Sequence, residues 1–261
     1  MNKNTKKVFL TVLAIILAIA LIFLAITNLF GKTNIKLGIA AIDSASKNTS
    51  LQTPKIFEGE AANLLKVLPS DIAVGAKNAP VTIIEYASLS CAHCASFYSD
   101  GFSKLKEEYI ATGKVRFVYR DFPLNQQALF AGMLALCQVS DHEADAQKYY
   151  DFIKVLFRTQ EVWAFTKDFT AKLETLAKLD GMSTEKFNEC IKSKTLQEGM
   201  LTVRMHADKI LQITSTPTFF INGEMISGYG GYGEIKNIIE TKLGNAPSQT
   251  SASSANPTEK H

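Results

Sequence analysis

The sequence predicts an α/β fold: a sheet begun by a parallel strand–helix–strand unit, interrupted by an all-helical subdomain, closed by a hairpin and a last helix, and preceded by an N-terminal transmembrane helix. Three observations predict it. Val81 to Tyr86 is a run of β-formers, followed by a helical stripe and then by a second alternating run, Lys114 to Arg120. From Asn125 to Ile213 the apolar spacing is helical throughout, far longer than one crossover helix requires. Asn222-Gly223, between short apolar runs, is a two-residue hairpin signal.

Length and composition set the frame. The chain has 261 residues, 46% hydrophobic and 20% charged, which suits one sizeable domain with appendages. Its net charge of +3 is small and dispersed, with no basic run interleaved with aromatics, so nucleic acid is excluded as a partner. Residues 1–30 hold Lys3, Lys6 and Lys7, then the apolar stretch Val8 to Ile26, broken only by Thr11. As a helix that stretch is about 28 Å long, close to the ~30 Å of a bilayer core and longer than the apolar part of a typical signal peptide. It reads as an uncleaved anchor, with a cleaved signal as the alternative. The leading lysines place the N-terminus in the cytoplasm and the body outside it, with Lys32 and Lys36 opposing.

Residues 31–69 read as a tether, Ser-, Thr-, Asn- and Lys-rich over most of their length, with a short helix expected over Glu60 to Leu68. The folded domain is expected over 70–244. Gly75 to Pro80 makes a turn into the strand Val81 to Tyr86. The helix that follows carries Tyr98, Phe102, Leu105 and Tyr109 on one stripe and stops at Gly113. With the strand Lys114 to Arg120 it makes a right-handed βαβ unit. Helices are expected at about 125–139, 143–158, 167–179, 184–193 and 195–212, an insertion spanning about 125–213 that covers one flank of the site. Pro217 opens a strand through Phe219 to Ile221, the chain returns through Met225 to Ser227, and a helix bearing Ile235, Ile238, Ile239 and Leu243 follows. Residues 245–261 are rich in Ser, Ala, Pro and Thr and read as a disordered tail.

The chemistry centres on Cys91-Ala92-His93-Cys94, two thiols one helical turn apart where the first strand hands over to its helix. Only a thiolate attacks a disulfide, and a helix N-terminus favours an anion through its unpaired N–H groups and its dipole. Cys91 is therefore expected to be the nucleophile, with His93 adding positive charge, and Cys94 the resolving thiol. A stabilised thiolate favours the reduced form and makes the disulfide an oxidant. The competing chemistry is zinc, with the four cysteines, His93, His142 and His206 as ligands. A structural zinc site usually shows a second closely spaced pair, and none exists here, so no metal is expected. Cys137 and Cys190 lie on apolar helical stripes. In an exported chain with an even cysteine count they are expected to form a structural disulfide, the alternative being two buried thiols.

These elements together resemble the thioredoxin fold. The helical insertion, Cys-X-His-Cys and Thr216-Pro217 resemble the DsbA family of exported thiol oxidases, in its membrane-anchored bacterial branch, through "VTIIEYASLSCAHC" and "STPTFFING". The resemblance runs from about Ser70 to Leu243. It implies that Cys91 is the nucleophile and Cys94 its buried partner, that Pro217 is a cis-proline against the dithiol, and that the Thr216 backbone pairs with a substrate strand. It implies also that Glu85 is a buried acid of raised pKa that relays the Cys94 proton. By the same resemblance the protein works in the periplasm, anchored to the inner membrane. It oxidises unfolded exported proteins bearing free thiols and is reloaded by a quinone-linked membrane oxidase, and the resemblance implies no soluble cofactor. Ala92 departs from the family, which commonly has proline there, and this bears on redox poise. A reductase or isomerase would share every one of these residues. A non-catalytic anchored binding protein is the remaining alternative.

Overall fold

The computed structural model describes residues 57–139, 142 and 144–244. The expected membrane anchor, residues 31–56 of the tether and the 245–261 tail lie outside the described residues. Among the described residues no helix is long and apolar enough to cross a membrane.

In chain order, α1 (Gly59–Leu64) and β1 (Ala73–Val74) lead to β2 (Val81–Ala87). A continuous helical run follows: α2 (Ala92–Ser96), a π-helical turn Phe97–Gly101, α3 (Phe102–Leu105) and a second π-helical turn Lys106–Ile110. After β3 (Val115–Asp121) come α4 (Gln126–Cys137), α5 (Ala146–Arg158), α6 (Gln160–Trp163), α7 (Phe169–Leu179), α8 (Thr184–Lys192) and α9 (Lys194–Lys209). The chain closes with β4 (Thr218–Ile221), β5 (Glu224–Ser227) and α10 (Tyr232–Gly244).

The sheet order is β1-β3-β2-β4-β5. β2 and β3 pair in parallel from Val81↔Val115 to Ala87↔Asp121, as a strand–helix–strand unit requires, and the other pairs are antiparallel. Because both faces of the sheet are covered, its central strands are buried at nearly every position. Val81, Ile83, Phe117, Phe219 and Ile221 point to the face packed by the α2–α3 run, α5 and α10. Ile84, Tyr86, Val118 and Phe220 point to the other, packed by Phe57, Leu64, Ala207, Leu211 and Ile213. Side chains alternate along a strand, so Glu85 falls on the first face, beneath the helix that carries both thiols. Asn222 (φ 48°) and Gly223 (φ 83°) are both left-handed, the backbone that the β4–β5 turn needs.

Three differences from the expectation have local causes. The helix after Cys91 contains two π-helical turns, each of which adds a residue and rotates the stripe. Phe97 as well as Tyr98, and Ile110 as well as Tyr109, are thereby buried. The short helix near residue 60 stops at Leu64 because the next carbonyls are taken. Arg120 Nη1 donates to Leu64 O, and Arg120 Nη2 to Lys66 O at 2.8 Å. From Phe57 onward the end of the expected tether is thus packed on the sheet. The helix ending at Arg158 is followed, after a break at Thr159 (φ −103°, ψ 12°), by the extra single turn α6.

Candidate active site

β2 ends at Ala87, and the turn Ser88–Ser90 delivers Cys91 to the N-cap of α2. Cys91 N–H donates to Ser88 O at 2.9 Å, and Cys91 O accepts from Ala95 N–H at 3.1 Å, the first bond of the helix. Cys91 is extended (φ −89°, ψ 122°), so its side chain folds back over the helix start and Sγ accepts from Cys94 N–H at 3.4 Å. On the other side the Cys91 thiol reaches Thr216 O at 3.3 Å. Both sulfurs are free thiols; Cys94 is sealed at 0% exposure while Cys91 keeps 8%.

Their surroundings push the two thiols in opposite directions. Cys91 is lowered from 9.0 to about 5, chiefly because the Cys94 thiol donates to its sulfur, against the opposing effect of burial. The Thr216 side chain and the backbone N–H groups of Cys94 and His93 add to the lowering. Cys94 is raised well above the ordinary thiol range, first by burial and then by its bond to Cys91 and the negative charge of Glu85. One sulfur is thus an anion at neutral pH, and the other holds its proton.

Glu85 is fully buried, and neither carboxylate oxygen completes a hydrogen bond. Burial raises its pKa well above 4.5, the nearby Tyr98 hydroxyl moderates this, and the charge of Cys91 reinforces it. A carboxyl whose ionisation burial disfavours therefore sits electrostatically coupled to Cys94. The Thr216-Pro217 bond is cis, and Pro217 O accepts from Gly228 N–H at 2.7 Å.

Cys91, Cys94, Glu85, Thr216 and Pro217 are therefore brought to one place. The His93 side chain is exposed, and the His93 backbone N–H is among the groups that lower the Cys91 thiol. Cys137 and Cys190 are bonded to each other, Cα atoms 6.1 Å apart, joining α4 to α8 within the helical insertion. Three supporting residues escaped the sequence reading. Ser88 is fully buried, and its Oγ accepts from Leu124 N–H at 3.3 Å and lies 3.1 Å from Ser90 Oγ. A polar residue closing an apolar strand was the available signal. Gln160 and Tyr98 sit on helices whose periodicity gives no hint that their polar ends turn toward the site.

The comparisons with known proteins agree. A family model described as Thioredoxin matches residues 68–241. A Rickettsia typhi protein, provisionally named a protein-disulfide oxidoreductase, is 30% identical over 183 residues, 70% of this chain and 63% of the relative. The chain thus spans a little under two thirds of that relative's length. Disulfide bond formation protein D of Bacillus subtilis is 27% identical over 177 residues, covering 65% of this chain and 76% of that protein. The crystal structure of Wolbachia pipientis alpha-DsbA1 superposes with a TM-score of 0.65 at 34% identity, covering 70% of this chain and 96% of that one.

Proposed function

We propose, because this chain belongs to the DsbA-like disulfide oxidoreductases of the thioredoxin family, that it passes the Cys91–Cys94 disulfide to thiols of exported polypeptides. A substrate thiolate attacks Cys91 Sγ, the S–S bond breaks, and Cys94 leaves with the electron pair and takes a proton, for which Glu85 is the nearby buried acid. The substrate's second thiolate then attacks its own sulfur in the mixed disulfide and expels Cys91. The substrate loses two electrons and two protons; the protein keeps the electrons as its reduced dithiol. A leaving group as acidic as Cys91 makes the last step fast and the disulfide oxidising.

The observation that carries this reading is the contrast between the two thiols: Cys91 Sγ caps the helix start and accepts from Cys94 N–H, while Cys94 is sealed beneath it. The cis-Pro217 loop supports it: an extended substrate strand laid along the Thr216 backbone would have its cysteine beside Cys91. Reoxidation is assigned to a quinone-linked membrane oxidase, with the protein held in the periplasm at the inner membrane by residues 1–30. Equilibrating the Cys91–Cys94 pair with glutathione tests the direction of the reaction. An oxidising potential is expected; a strongly reducing one makes the protein a reductase. In a coupled dithiol-peptide assay, Cys91→Ser is expected to abolish oxidation.

A further inference from the structure

The break at Thr159 places one side chain of the helical insertion inside the active-site turn. Gln160 is 5% exposed, and its Nε2 donates to Leu89 O at 2.7 Å and to Cys91 O at 3.1 Å. Both partners are carbonyls and can only accept, so the amide nitrogen is the group that faces them. Leu89 is itself fully buried, so this carbonyl would lack water if the donor were removed. α6 is fixed in turn from its own side: Trp163 Nε1 donates to Leu156 O at 3.0 Å, and Ala164 N–H to Gln160 O at 2.8 Å. The charged groups around Gln160 are Cys91 itself and Lys154, Arg158 and Glu161, which line the adjoining cavity together with Ala92.

We propose that Gln160 is the positioning residue through which the helical insertion sets the nucleophile, by holding the Leu89 and Cys91 carbonyls in one orientation. The two N–H dipoles offset the negative ends of carbonyls in the backbone that bears the sulfur, and they keep Cys91 in its N-cap pose over the Cys94 N–H. Without them the Leu89 carbonyl goes uncompensated and the Cys91 carbonyl keeps only its bond from Ala95 N–H, so the cap loosens and the thiolate loses support. The inference deepens the thiol-exchange reading and rests on it for its consequence, but it is measured on the reduced protein alone.

The test is the Cys91 ionisation midpoint, followed by thiolate absorbance and by alkylation rate in the reduced full-length chain. Gln160→Met keeps the volume and removes both donors; its midpoint is expected to rise by about one pH unit, leaving roughly fivefold less thiolate at pH 5. Gln160→Glu, which sets acceptors against acceptors and adds charge as it ionises, is expected to raise the midpoint further. If both variants fold and keep the wild-type midpoint, losing only thermal stability, Gln160 is a packing residue and the proposal is overturned. If Gln160→Met does not fold, Gln160→Glu decides on the same criterion, with Gln160→Ala as a third variant. A wild-type protein that fails to oxidise a dithiol peptide would sink the oxidase reading and leave this result standing.

Discussion

Cys91 is lowered to about 5 chiefly by the Cys94 thiol, with Thr216 and the backbone amides of Cys94 and His93 adding to the effect and burial opposing it. Its alkylation rate in the reduced protein should therefore level off above about pH 6 and fall about tenfold per unit below pH 4. A rate that still climbs between pH 7 and 9 would show an ordinary thiol. The same ionisation is a stability term. A depressed folded pKa stabilises the reduced fold fully above the ordinary value of 9.0, and this contribution is lost as pH falls through about 5. At pH 7, after allowing for solvent screening, it amounts to about 1–3 kcal/mol, so the reduced form should melt above the oxidised one there. Glu85 has the opposite sign. Its folded pKa is raised, so the protein is relieved of any penalty below 4.5 and loses stability as pH rises from there through the folded value. Glu85→Gln should gain about 1–3 kcal/mol in urea unfolding at pH 8 and little at pH 4. It should also slow the steps in which Cys94 gains or loses its proton. Equal gains at both pH values would show that the carboxyl is not the cause.

Arg120 on β3 has its guanidinium enclosed by acceptors, at the point where the N-terminal segment meets the sheet. Nε and Nη2 donate to the two oxygens of Asp71 at 2.9 and 2.7 Å, Nη1 to Tyr86 Oη at 2.7 Å, and the remaining bonds go to the Leu64 and Lys66 carbonyls. The ion pair is buried on both sides, so removing one partner strands the other. Arg120→Met is expected to cost about 3–5 kcal/mol in urea unfolding, and adding Asp71→Leu should recover part of that loss. An Arg120→Met cost below about 1 kcal/mol would mean that α1 and its following turn dock by apolar contact alone. Ordinary periodicity located most elements to within a few residues: β2, β3 and the five long helices of the insertion. It missed what depends on a change of phase. The two π-helical turns bury adjacent residues that a 3.6-residue repeat would separate, and the single turn α6 that follows the Thr159 break is too short to show a period of its own. β1 is two residues long, too short to show an alternation.

Across the whole domain the Cys137–Cys190 bridge closes a loop with a sequence separation of 53 inside the insertion. Replacing both cysteines with serine should lower stability by about 4 kcal/mol in the chain-entropy account. A loss under about 1 kcal/mol would mean that the reduced chain is already held compact by the helices around it. The dithiol, its place at a strand-to-helix junction and the helical insertion were all legible because they are patterns among near neighbours: cysteines three apart, apolar residues at steps of two, three or four. The roles of Glu85, Thr216 and Pro217 entered through resemblance to a family, and the structure supplies their physical setting. Thr216 lies 125 residues from the sulfur it touches, and Gln160 lies 69 residues from the Cys91 carbonyl it binds. No periodicity encodes such meetings. They exist once the sheet has paired β4 with β2 and the insertion has turned at Thr159, because the hydrogen bonds and charges that lower one thiol and raise its neighbour act over a few ångströms of space, whatever the distance along the chain.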